Sequence, residues 1–66
     1  MTGKVKWFND AKGYGFVMDE KGNESFVHFS NINMEGHRTL GEGQDVTFET
    51  RTTERGTEAY DVTPVA

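Results

Sequence analysis

The chain contains no cysteine, so neither a disulfide nor a thiolate-bound metal can reinforce its fold. Proline occurs once, at Pro64, and the two histidines, His28 and His37, are too few for a histidine-built zinc site. No apolar run is long enough to span a bilayer. The opening residues Met1-Thr2-Gly3-Lys4-Val5-Lys6 also lack the apolar stretch of a signal peptide. These absences set the expectation of a cytoplasmic protein with no metal, no cofactor and no membrane partner. Positive charge is scarce as well, with seven Lys and Arg against eleven Asp and Glu, for a net charge of −4. That balance disfavours a protein that coats duplex DNA electrostatically.

The placement of the charges qualifies their sum. Residues 1–17 carry Lys4, Lys6 and Lys12 against the single acid Asp10, whereas Glu35, Glu42, Asp45, Glu49, Glu54, Glu58 and Asp61 lie later. Screening over roughly 8 Å at physiological salt mutes exposed charges on a far face while leaving close contacts effective. A surface that holds a strand mainly by stacking remains compatible with the acidic total.

With 66 residues, the chain is expected to form one domain over 1–66. A chain of this size buries only about 60% of the surface its unfolded state exposes, so its stability is expected to be marginal. Glycine and asparagine recur at close spacing, with β-branched and aromatic residues between them. The pattern predicts five strands, over 4–9, 14–19, 25–29, 44–51 and 58–65. A single helical turn fits 30–33, a long surface loop 34–43, and polar loops 20–23 and 52–57. Five short strands without an amphipathic helix predict an all-β fold, a small antiparallel sheet closing into a partly open barrel. Closure also removes the exposed strand edges.

Two strands break the usual alternation of apolar and polar residues. Val17 alternates with Tyr14, Phe16 and Met18, and Val27 alternates with Phe26 and His28, so both faces of each strand are non-polar or aromatic. A barrel this small has one small interior. Val5, Val17, Val27, Ile32, Val46 and Val62 are its natural filling, with Phe48 a further candidate. Tyr14, Phe16, Phe26 and His28 are left for one outer face, with Trp7 beside them, and a contiguous exposed aromatic patch marks a binding surface. Gly13 and Gly15 flank Tyr14 and bare the backbone around it, and Lys6 and Lys12 lie where a core would not want them. Each base–aromatic stack is worth about 1–3 kcal/mol and is tolerant of sequence, which suits open strands rather than duplexes.

Lys12-Gly13-Tyr14-Gly15-Phe16-Val17 matches the ribonucleoprotein motif RNP1 at its first six positions, and Phe26-Val27-His28-Phe29 looks like its companion RNP2. RRM domains share the first motif but need two helices, and no amphipathic helical segment exists here. With Gly3-Lys4-Val5-Lys6-Trp7-Phe8-Asn9, Gly36-His37-Arg38-Thr39-Leu40, Glu42-Gly43-Gln44 and Arg55-Gly56, the chain resembles the bacterial cold-shock proteins over nearly its full length. The resemblance implies a five-stranded antiparallel Greek-key barrel of OB-fold type that binds pyrimidine-rich single-stranded RNA and DNA. It further implies an RNA chaperone that affects translation and transcription termination. A monomer is the simplest expectation, and no small-molecule substrate is expected.

Carried over by position, the stacking residues are Trp7, Tyr14, Phe16, Phe26, His28 and Phe29, with Lys6, Lys12 and Arg55 as polar or phosphate contacts. His37 stands where the family often has a stacking Phe. Ser25 and Thr50 replace common aliphatics, each adding a hydroxyl that needs a partner, and Thr57 replaces a common Pro. A modestly stable member is expected. Two other functions compete. Asp19, Glu20 and Glu24 could be the metal site of a small nuclease, but solvated hairpin carboxylates explain them and no enzymatic activity is expected. A protein-docking module using the same aromatic face would leave Lys6, Lys12 and Arg55 without a purpose.

Overall fold

Each strand carries one buried valine, Val5, Val17, Val27, Val46 or Val62, and the other inward positions are mostly small, which builds strands whose inner face is compact and whose outer face is not. The computed structural model describes residues 1–36 and 39–65. Its strands are β1 (Thr2–Asn9), β2 (Tyr14–Asp19), β3 (Glu24–His28), β4 (Asp45–Thr53) and β5 (Gly56–Pro64), with one 3-10 turn, Phe29–Asn31, after β3. The sheet closes into a barrel in the order β1-β2-β3-β5-β4. The all-β, five-stranded fold of OB type is thus present, and the barrel is closed rather than partly open. Four of its strand pairs are antiparallel, whereas β3 meets β5 in parallel through Phe26 and Glu58. Because β4 runs antiparallel to β1 and β5 antiparallel to β4, β5 lies beside β3 in the same direction.

The core consists of Val5, Val17, Val27, Ile32, Val46, Phe48 and Val62, as expected, joined by Leu40 and Ala59. Phe8 and Met34 pack against it, half-buried. Leu40 corrects the reading of 34–43 as a surface loop: one aliphatic in it is buried with the core. The loop expected over 52–57 is likewise shorter than its polarity suggests. Thr52 pairs with Thr57 and Thr53 with Gly56, leaving only Glu54 and Arg55 in the turn. Thr53 Oγ1 donates to Gly56 O and accepts from Arg55 N–H, which locks that turn.

Two irregularities shape the surface. In β1 the register shifts between Val5, opposite Val17, and Trp7, opposite Phe16. Lys6 is the extra residue of a β-bulge, so Lys6 and Trp7 both face solvent and Phe8 turns back toward the core. In β5 a second shift falls between the partners of Thr47 and Glu49, where Asp61 adopts a left-handed φ of 55°. The Asn33 amide donates to the Asp61 carboxylate there, and Asn33 N–H bonds Val62 O at 2.6 Å. These bonds tie the segment after the 3-10 turn to β5.

Candidate nucleic-acid interface

The outward residues of β1, β2 and β3 meet in register. Trp7 lies opposite Phe16, Phe16 opposite Phe26, and Tyr14 opposite His28. Their rings form a closed cluster of four. Trp7 touches Tyr14 (5.9 Å between centroids) and Phe16 (5.4 Å), and Phe26 touches the same two at 5.7 and 5.8 Å. Interplanar angles from 32° to 79° keep the rings from stacking flat on one another, which leaves ring faces and edges turned to solvent. His28 and Phe29 form a second pair, 4.6 Å apart, beside Tyr14. Phe29 is 43% exposed and Trp7 36%, whereas the valines behind them are sealed from water.

The glycines between the rings explain how the platform is built. A side chain at Gly15 would press into the Trp7 carbonyl and come within 2.7 Å of Phe8 Cα, so only glycine lets β2 approach β1 here. Gly13 holds a φ of 77°, and a Cβ on it would sit 2.7 Å from the Phe29 ring. Both glycines are buried under the neighbouring rings. They do not bare the backbone, as the sequence suggested; they are the surface against which the aromatics rest. Asn9 organises the intervening loop, with its side chain accepting from Lys12 N–H at 2.9 Å and its carbonyl from Gly13 N–H at 2.7 Å.

His28 is oriented by the 3-10 turn that follows it. Its Nδ1 accepts from Ser30 N–H at 3.3 Å and lies 2.8 Å from Ser30 Oγ. In the neutral ring that assigns the proton to Nε2, the nitrogen left to donate outward. The cations divide into two groups. Lys6 pairs with Glu24 at 2.9 Å, Lys4 with Asp45 at 2.6 Å and Arg51 with Glu58 at 2.6 Å. Lys12, Lys21 and Arg55 have no ion-pair partner among the described residues, and of these Lys12 and Arg55 lie nearest the rings. Lys12 lies in the loop entering β2, and Arg55 borders a cleft of about 370 Å³ that also includes Phe16 and Phe26. The rings thus have an unpaired cation toward either end. His37 falls outside the described residues.

The chain matches the 'Cold-shock' DNA-binding domain over residues 1–65. The chain belongs to the cold-shock domain family. It is 55% identical to Cold shock protein 1 of Lactiplantibacillus plantarum over 63 residues, which is 96% of each chain. It is similar to a cold shock-like protein of Thermotoga maritima, at 52% identity over 94% of each chain. It is also 55% identical to Cold shock protein CspB of Bacillus caldolyticus over 91% of each. The family model it matches is that of a nucleic-acid-binding domain.

Other chemistry finds no comparable support. Among the described residues, no three His, Asp or Glu side chains converge where a metal ion could be held. Asp19, considered above with Glu20 and Glu24 as a nuclease site, is committed to its own hairpin. It accepts from the N–H groups of Lys21 and Asn23, both at 2.9 Å, and from the Asn23 amide. No helix among the described residues is long and apolar enough to cross a membrane.

Proposed function

We propose that this cold-shock domain binds single-stranded RNA and DNA, with a preference for pyrimidine-rich segments, by stacking bases on Trp7, Tyr14, Phe16, Phe26, His28 and Phe29. The observation that carries the reading is the four-ring cluster held outside a core already filled by aliphatic side chains and Phe48. Lys12 and Arg55 contact phosphates, and Lys6 offers a polar contact beside Trp7. His37 adds a further stacking ring from the loop between β3 and β4.

Binding of this kind competes with base pairing. A base stacked on the platform is withdrawn from a hairpin, so the protein acts as a chaperone that keeps RNA open, with consequences for translation and transcription termination. No catalysis is required, a monomer suffices, and the working compartment is the cytoplasm. Trp7 emission tests the reading: oligouridine and oligothymidine quench it in a saturable way, and a blunt duplex does not. Equal quenching by the duplex, or none by either oligopyrimidine, overturns it.

A further inference from the structure

Beyond the four rings, the outer face of the sheet continues onto β5 and β4. Phe26 lies opposite Glu58, and Glu58 opposite Arg51, so these side chains prolong the row that starts at Trp7 and Phe16. Val27 and Ala59, the next residues on β3 and β5, are sealed inside the barrel, so Phe26 and Glu58 share its outer side. Because β3 and β5 run in the same direction, Tyr60 follows Glu58 as His28 follows Phe26. This part of the sheet therefore carries one more ring and one more cation, Tyr60 and Arg51, level with the aromatic side chains of β3.

The way Arg51 is held decides what it can bind. Its Nε and Nη2 both donate to Glu58 Oε1, at 2.8 and 2.6 Å, so one edge of the guanidinium is committed to a carboxylate. One face lies over the Tyr60 ring, 5.0 Å from its centroid. The side chain is nonetheless 53% exposed, which leaves the other face to solvent. A phosphate reaching the Nε–Nη2 edge would have to displace Glu58. It would also approach Glu49, which lies opposite Tyr60 and adds a second negative charge. A flat, uncharged base meets neither obstacle. Bases stack on guanidinium planes as they do on aromatic rings.

We infer that Arg51, backed by Tyr60, is a further base-stacking position that carries the nucleic-acid track from β3 across β5 onto β4. The inference rests on the stacking function proposed above and lengthens its footprint by about one nucleotide. Arg51 takes a base by its face, not a phosphate by its charge. Since that charge stays with Glu58, the added base releases few counterions, and the affinity it brings is nearly independent of salt.

The test is a length series of oligothymidines titrated against Trp7 emission, with Arg51→Lys and Arg51→Gln beside the parent. The parent is expected to gain about 5-fold in affinity from the last nucleotide the track accepts, at low and at high salt alike. Arg51→Lys keeps the charge but has no plane. It loses that step, while shorter strands bind it as tightly as they bind the parent. The Arg51 Nε–H resonance of the parent shifts with the strand that includes the last nucleotide and not with the strand one shorter. Urea midpoints close to the parent's are expected for both variants, since the ion pair is exposed. A last step that survives in both variants overturns the inference. So does one kept by Arg51→Lys and lost by Arg51→Gln, because that pattern belongs to a phosphate contact. Both results leave the platform standing. Failure of every strand to quench Trp7 overturns the platform, and the extension with it.

Discussion

The Trp7 and Phe16 rings lie 5.4 Å apart on adjacent strands because the Lys6 bulge turns Trp7 outward at the point where Gly15 lets β2 close on β1. A side chain at residue 15 has nowhere to go, since the obstructing atoms are backbone. Gly15→Ala is expected to cost at least about 1–3 kcal/mol of stability, and to weaken oligothymidine binding by separating the strands that carry the rings. Urea denaturation and Trp7 titration measure the two effects; an unchanged midpoint contradicts the close approach.

Ser25 is a polar residue in the barrel wall, only 3% exposed and opposite Val17. It borders a cleft of about 340 Å³ that Thr50 also lines, so two positions expected to bear aliphatics instead border one polar opening. Ser25→Val fills part of that space with methyl groups and removes a hydroxyl from the interior. A gain of about 1 kcal/mol is expected from thermal or urea unfolding, with binding unaltered. A loss of stability shows that the hydroxyl makes a bond worth more than the added burial.

Asp19 ties the β2–β3 hairpin. The Asn23 backbone N–H holds its carboxyl below the ordinary range, helped by the Asn23 amide, the Lys21 N–H and the Lys21 charge, with slight burial opposing them. A depressed folded-state pKa contributes stability above the unfolded value, and that contribution disappears as pH falls through the folded value. Asp19→Asn is therefore expected to be less stable than the parent near neutrality. The gap begins to close below about pH 4, where the unfolded carboxyl protonates, and is gone once the folded carboxyl has protonated too. Unfolding midpoints across pH check it, and a gap that widens in acid contradicts it.

How far the site could be read in advance depended on the kind of signal. Val17 and Val27, set among aromatics, revealed their inner face because parity in β2 and β3 is unbroken. Parity counted from Val5 alone buries Trp7, whereas the structure turns it outward beside the rings. The bulge has no composition signature, and the one hint is that Val5 and Phe8, three apart, both turn inward. Leu40 was hidden among Gly36, Gly41 and Gly43, where no periodicity exists to assign a face. The turn at Glu54 and Arg55 looked longer because polar threonines read as loop, although their β-branched side chains suit a paired edge. The Glu58–Arg51–Tyr60 group was not legible, because a parallel pairing between β3 and β5 brings it to the aromatic row.

With Lys4, Lys6 and Arg51 held in ion pairs, few cations are left for phosphates. The dependence of affinity on salt is expected to be shallow, equivalent to about two or three released counterions. Arg55→Gln lowers that figure by about one. A slope equivalent to about six or more released ions shows that phosphate contacts dominate.

The central claim is that the Phe16 ring belongs to the platform and not to the core. Phe16→Ala, measured for both folding stability and oligothymidine affinity, decides it. The account predicts a folded protein that loses about 1–3 kcal/mol of binding. A loss of about 3–5 kcal/mol in stability with intrinsic binding intact would contradict it, since that is the signature of a core ring.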